Sequence, residues 1–170
     1  LRVPEIRVVI PTVHGVSGLV RDMARRWPTA PVVVENPQER RAAFAAADLA
    51  LAASGTVSLD LAANNVPMVI GYDVAPLSRL ILRLMLKTDT VTLVNLVSET
   101  RAVPEFLGGD CQPGPMSQAL FCLLEHPEDR GEQIAAMNLT MERLGRGGEA
   151  PGLRAARSVL DALSSARRPR

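Results

Sequence analysis

Short, almost wholly apolar runs alternate along this chain with longer segments whose apolar residues return every three or four positions. The runs 5–10 (EIRVVI), 31–35 (PVVVE), 48–53, 67–72 and 90–94 predict strands. They lack the in–out alternation of a half-buried strand, so both of their faces are expected to be covered. Helical spacing predicts helices over 16–27, 37–47, 56–64 and 76–86, with Ser17 near the start of the first and Pro37 in the first turn of the second. Strand–helix–strand repetition with short links favours right-handed crossovers and parallel pairing. The fold class predicted is therefore α/β: a Rossmann-like parallel sheet of about five strands with flanking helices.

After Asn95 the pattern changes. A loop is expected over 95–113, followed by a helical extension, 114–166, with helices at about 115–126, 128–145 and 151–166. Gly145 to Gly152 separates the last two helices, and 167–170 reads as a basic tail. Residues 1–170 are expected to form one domain. There is no internal repeat and no low-complexity tract.

Composition narrows the function classes. A chain of 170 residues that is 47% hydrophobic can build a real core. Nineteen basic against 18 acidic residues give no strong field to attract nucleic acid, and 3% aromatics leave little for base stacking. Cys111 and Cys122, eleven residues apart, form no CxxC and have no histidine cluster beside them, so they read as reduced thiols. No apolar run is long enough to span a membrane, no signal peptide is visible, and no DxD pair or ligand cluster asks for a metal. The chain opens on Leu1, close to its first strand, which suggests a piece of something longer.

Candidate chemistry gathers where strand 48–53 passes into a helix through Ser54-Gly55-Thr56. In open parallel sheets ligands collect beyond the carboxyl ends of the strands. Gly55 brings no Cβ, and unpaired N–H groups with the positive end of a helix dipole favour phosphate oxygens. Ser54 and Thr56 add hydroxyls. Asp60, about one turn further on, can accept hydrogen bonds from a ribose diol. A plain N-cap explains the same Ser/Thr pattern without any ligand, and the turn by itself leaves both readings open. No GxGxxG and no GxxxxGK[ST] is present, so dinucleotide dehydrogenases and P-loop enzymes find no support.

A longer span is more specific. "ADLALAASGTVSLDLAANNVPMVIGY", then Pro76-Leu77-Ser78 and "KTDTVTLVNLVSETRAVPEFL", together resemble the lipid-A-disaccharide synthase family, over about residues 5 to 125. The resemblance implies the C-terminal, donor-binding half of a GT-B-fold inverting glycosyltransferase. Such an enzyme joins UDP-2,3-diacylglucosamine to 2,3-diacylglucosamine 1-phosphate, giving a β-1,6 disaccharide and UDP. It implies that Ser54, Gly55 and Thr56 meet the diphosphate and that Asp60 takes the ribose. Asn95 and the stretch from Arg101 to Glu105 would line the nucleotide side of the cleft, within the 95–113 loop. No cofactor is implied. The family's Gly-Ser-Arg phosphate loop, the acceptor-binding N-terminal domain and the catalytic base would all lie upstream of Leu1. No catalytic residue is therefore assigned here, and the chain is expected not to turn over alone. The implied setting is the cytoplasm, peripheral on the inner face of the inner membrane.

Some residues depart from the family pattern. Asp60 stands where the family commonly has Glu, and reaches about 1.5 Å less far. Asp73 follows Tyr72 where a basic residue is usual, and Ser98-Glu99-Thr100 replaces a small Ala-Gly pair. Rival readings are another GT-B transferase using UDP-N-acetylglucosamine, whose glycine-rich donor signature is absent, and a non-catalytic Rossmann-like binding module.

Other residues carry two readings each. Arg101 is a bidentate counter-charge for a diphosphate or a solvated surface arginine. His14 is a ligand or base at the cleft rim, or a loop histidine paired with backbone. His126 precedes Pro127 and suits the negative end of a helix. Asn138-Leu139-Thr140 matches a glycosylation acceptor with no secretory context to give it meaning. Helix 76–87 has Arg79, Arg83 and Lys87 beside a broad apolar face, so it either meets an anionic membrane surface or simply covers the sheet.

Overall fold

Parallel pairing organises the strands. The computed structural model describes residues 6–73 and 89–166. β1 (Val9–Pro11) pairs with β2 (Val32–Val34), with Val9 opposite Val32. A second sheet has the order β3 (Ala50–Ala52), β4 (Met68–Tyr72), β5 (Glu105–Leu107). Ala50 lies opposite Met68, and Ile70 opposite Glu105, every pair being parallel. The α/β class and parallel pairing expected from sequence are present, divided among the described residues into sheets of two and three strands.

The helices follow the apolar periodicity. Among the described residues they are α1 (Ser17–Ala24), α2 (Pro37–Ala45), α3 (Val57–Ala63), α4 (Leu93–Ser98), α5 (Pro113–Glu125), α6 (Pro127–Arg143) and α7 (Pro151–Ala166). Asn36 caps α2 by accepting from the Gln38 N–H at 2.8 Å, with Pro37 at the first helical position. α3 ends in a Schellman motif. Asn65 takes the left-handed conformation, the Val66 N–H bonds the Leu61 carbonyl at 3.0 Å, and the Asn65 N–H bonds that of Ala62 at 3.1 Å. Leu61 and Val66, the apolar pair that flanks this turn, are both buried.

Two expectations fail, and for one reason. Residues 90–94 are not a strand: Thr92 is the N-cap of α4, which takes up Leu93 and Val94. The fifth strand instead lies at Glu105–Leu107, inside the segment 95–113 expected as a loop. The mostly β-branched run 90–94 gives its Val91 and Thr92 N–H groups to a side chain rather than a ladder, and burial of α4 against α3 and α6 overrides its strand propensity. The helix expected over 76–87 lies outside the described residues.

The core lies between β4 and the helices α3, α4 and α6. Leu61, Ala62, Val66, Met68, Ile70, Val94, Val103, Ala136 and Met137 form one buried cluster. Polar links set its register. The Gln133 side chain of α6 accepts from the Met68 N–H at 2.9 Å, at the start of β4. Thr140 bonds the Ala136 carbonyl at 2.8 Å and also approaches that of Val94 at 3.2 Å, tying α6 to α4. α5 packs on β4 through Met116, which lies over Gly71. α7 is attached by its polar side: Arg154 donates to the Leu144 carbonyl at 2.8 Å and Arg157 to Glu149 at 2.6 Å. Its Leu153, Val159, Leu160 and Leu163 are exposed.

Candidate functional site

The turn between β3 and α3 has the form its sequence suggests, with one hydroxyl fewer to offer. Gly55 sits at φ +144°, a backbone conformation that L side chains rarely adopt, and a Cβ there would touch nothing in the protein. Glycine is demanded here by the backbone and not by crowding. Its carbonyl accepts from the Ser58 hydroxyl at 2.8 Å and from the Ser58 N–H at 3.3 Å, which starts the helix. The N–H groups of Gly55, Thr56 and Val57 meet no acceptor among the described residues. Such groups at a helix start must be satisfied by water or a ligand.

The side chains around the turn divide into two sets. Thr56 and Asp60 are exposed, and neither the Thr56 hydroxyl nor the Asp60 carboxylate bonds a described residue. Ser54 differs: its hydroxyl donates to the Val91 carbonyl at 3.0 Å. The expected hydroxyl pair is therefore one free donor, on Thr56, and one tether, on Ser54.

Asn95, Arg101 and Glu105 are engaged within the protein. Asn95, 1% exposed, lies on α4 and not at the end of a strand. Its amide donates to the Val103 carbonyl at 2.9 Å and accepts from the Val103 N–H at 3.0 Å. Arg101 forms an ion pair with Asp89 and a second bond from Nε to the same carboxylate at 3.2 Å. The Arg101 guanidinium beside Asp89 holds that carboxyl below its usual range. Glu105 accepts from the Thr90 hydroxyl at 2.7 Å, the Val91 N–H at 3.2 Å and the Thr92 N–H at 2.6 Å.

A cluster not foreseen from sequence lies beyond the carboxyl ends of β1 and β2. Glu35, directly after β2, is paired with Arg21 of α1 and with the His14 ring at 3.4 Å. Desolvation works against the Glu35 carboxylate, but the paired Arg21 guanidinium and the His14 ring more than offset it and hold its pKa down. A carboxylate immediately after three valines was a visible signal for a strand-end site. His126 caps its helix as expected, its Nδ1 lying 3.1 Å from the Cys122 carbonyl. The Asn138-Leu139-Thr140 triplet lies inside α6 with Thr140 buried. Among the described residues there is no group of three or more potential metal ligands, and no helix long and apolar enough to cross a membrane. Cys111 and Cys122 are both free.

Comparison with known proteins decides the family. The model of the lipid-A-disaccharide synthetase family matches residues 4–150. The chain belongs to that family. It is 54% identical over 168 residues to the lipid-A-disaccharide synthase of Ruegeria pomeroyi, covering 94% of this chain and 41% of that protein. Its identity to the synthase of Paramagnetospirillum magneticum is 42% over 171 residues, covering 99% and 44% respectively. For Rhodospirillum centenum the figures are 39% over 163 residues, 96% and 41%. The chain thus spans about two-fifths of the length of these curated relatives.

Proposed function

We propose that this chain is the sugar-nucleotide half of a lipid-A-disaccharide synthase. Its donor is UDP-2,3-diacylglucosamine, and the acceptor, 2,3-diacylglucosamine 1-phosphate, is held by a separate N-terminal domain. One observation carries the reading: among the described residues nothing pairs the N–H groups of Gly55, Thr56 and Val57, the Thr56 hydroxyl or the Asp60 carboxylate, which gather at the carboxyl end of a parallel strand.

The division of work follows from charge. N–H donors and the Thr56 hydroxyl suit the diphosphate, and Asp60, an acceptor only, suits the ribose hydroxyls. In the transfer the acceptor's 6-hydroxyl oxygen bonds the anomeric carbon as the bond from that carbon to the UDP oxygen breaks, with inversion. The hydroxyl proton passes to a base outside this chain, and the electron pair leaves with UDP. With the diphosphate seated on the turn, its N–H groups meet the negative charge as it grows on UDP and so stabilise the transition state more than the ground state. The chain alone binds donor without turning it over. In the cell the enzyme works in the cytoplasm at the inner face of the inner membrane, where its acylated substrates partition.

Titration calorimetry with UDP tests the site. Saturable binding weakened about tenfold in Thr56→Val and in Asp60→Asn is expected, roughly 1.4 kcal/mol for each change. Unaltered affinity in both variants would overturn the assignment. Disaccharide formation by the purified chain alone would overturn the placement of the base.

A further inference from the structure

Residues 90–92 form the short segment that lies against the donor turn, and no strand pairs with it among the described residues. Three of its donors are gathered by one side chain. Glu105 takes the Thr90 hydroxyl, the Val91 N–H and the Thr92 N–H, all on Oε1, with Oε2 also 3.4 Å from the Val91 N–H. Hydrogen bonds to an ionised acceptor are about twice as strong as neutral ones. The root of this side chain is firm as well. Glu105 begins β5, opposite Ile70 of the buried central strand, and the Ile70 N–H bonds the neighbouring Pro104 carbonyl at 2.9 Å.

The same segment holds the turn. Val91, whose N–H points to Glu105, presents its carbonyl to the Ser54 hydroxyl at 3.0 Å. A continuous path therefore runs from β5 through the Glu105 carboxylate to Val91, and from Val91 to Ser54, the residue before Gly55. Thr92 adds an independent sign of constraint. It is fully buried and its hydroxyl has no partner among the described residues, so the segment forgoes one hydrogen bond in the position the carboxylate imposes.

We propose that Glu105 is a positioning residue for the donor turn: by fixing Thr90–Thr92 it holds the Val91 carbonyl where Ser54 is tethered, and so sets the direction of the Gly55 and Thr56 N–H groups. This rests on the reading that the turn seats the donor diphosphate. It assigns Glu105 a role through other residues rather than contact with the nucleotide. Its acceptor sites are directed to the chain's own donors, and a carboxylate facing a diphosphate would repel it.

The test compares Glu105→Ala, Glu105→Gln, Ser54→Ala and the double variant Glu105→Ala/Ser54→Ala. Leu123→Ala, a buried change on α5, serves as a control for general loosening. Two measurements are made: amide chemical shifts of residues 54–57 without ligand, and UDP affinity by calorimetry. Glu105→Ala is expected to move the 54–57 amides and weaken UDP about tenfold, while Leu123→Ala moves neither. Glu105→Gln keeps an oxygen acceptor and is expected to recover binding to within about threefold of the parent chain. The double variant should bind UDP no worse than Glu105→Ala, since both changes cut one path. Unmoved 54–57 amides in Glu105→Ala, additive losses, or equal shifts in Leu123→Ala would each overturn the proposal. Absence of UDP binding in the unmutated chain would overturn the donor reading instead, and the amide shifts would still decide whether Glu105 controls the turn.

Discussion

Asn95 and Val103 are joined twice, the Asn95 amide donating to the Val103 carbonyl at 2.9 Å and accepting from its N–H at 3.0 Å. Both residues are buried, so a side chain here does the work of a strand partner and fastens α4 to the chain entering β5. Substituting Asn95→Ala leaves two buried backbone groups without partners. An unsatisfied buried group costs about 1–3 kcal/mol, and the loss expected in urea unfolding is about 2–4 kcal/mol. A loss below about 1 kcal/mol would show that water replaces the amide.

Gly71 marks the contact between β4 and α5. A Cβ at this position would lie 2.6 Å from the Met116 sulfur and 3.4 Å from that of Cys111. Gly71→Ala should therefore destabilise by about 1–2 kcal/mol, as overpacking does. Because the nearest atom belongs to a flexible side chain, Met116→Ala should relieve part of that cost. The double variant is expected to be more stable than the sum of the single losses by at least about 0.5 kcal/mol. Strict additivity would contradict the contact.

Glu99 closes α4 in the left-handed region, at φ +61°, where side chains other than glycine are strained by about 1–2 kcal/mol. Its exposed ion pair with Arg143, at 3.5 Å, offsets little of that. Glu99→Gly relieves the strain but frees the unfolded chain, so a net gain of about 0.5 kcal/mol is expected in thermal unfolding. Glu99→Val should lower stability instead. A glycine variant less stable than the parent would show that the ion pair outweighs the strain.

Glu35 gives the fold an acid-sensitive contact. Its pKa is depressed in the folded chain, so its stabilising effect is complete above its unfolded-state value and disappears as pH falls through the folded one. Glu35→Gln should thus be less stable than the parent chain near neutrality. The gap should close as pH drops below about 4, the ordinary carboxylate range. Thermal midpoints of the two proteins across that range give the answer, and a gap that does not narrow with acidification would remove Glu35 as its source.

The sequence by itself determined the α/β class, the order of elements up to β4, and the position of the turn at Ser54, Gly55 and Thr56. Parallel strands leave apolar runs, although among the described residues only β4 is largely buried while Val9, Val32 and Leu51 of β1, β2 and β3 are exposed, so the expected cover on both faces is not met there. Helices keep one apolar stripe, and a helix start after a strand suits residues such as Ser54, Gly55 and Thr56, each a local mark in the residues. Only the tertiary structure decided where the fifth strand falls and what Glu105, Asn95 and Ser54 do. The run 90–94 looks like a strand because Val91 and its neighbours are β-branched, yet three of its donors are taken by Glu105 from 13 to 15 residues away. β5 is three residues long behind a proline, and α4 stops at a glutamate where a glycine would have announced the end. Long-range hydrogen bonds and burial made those choices, and neither follows from the spacing of residues along the chain.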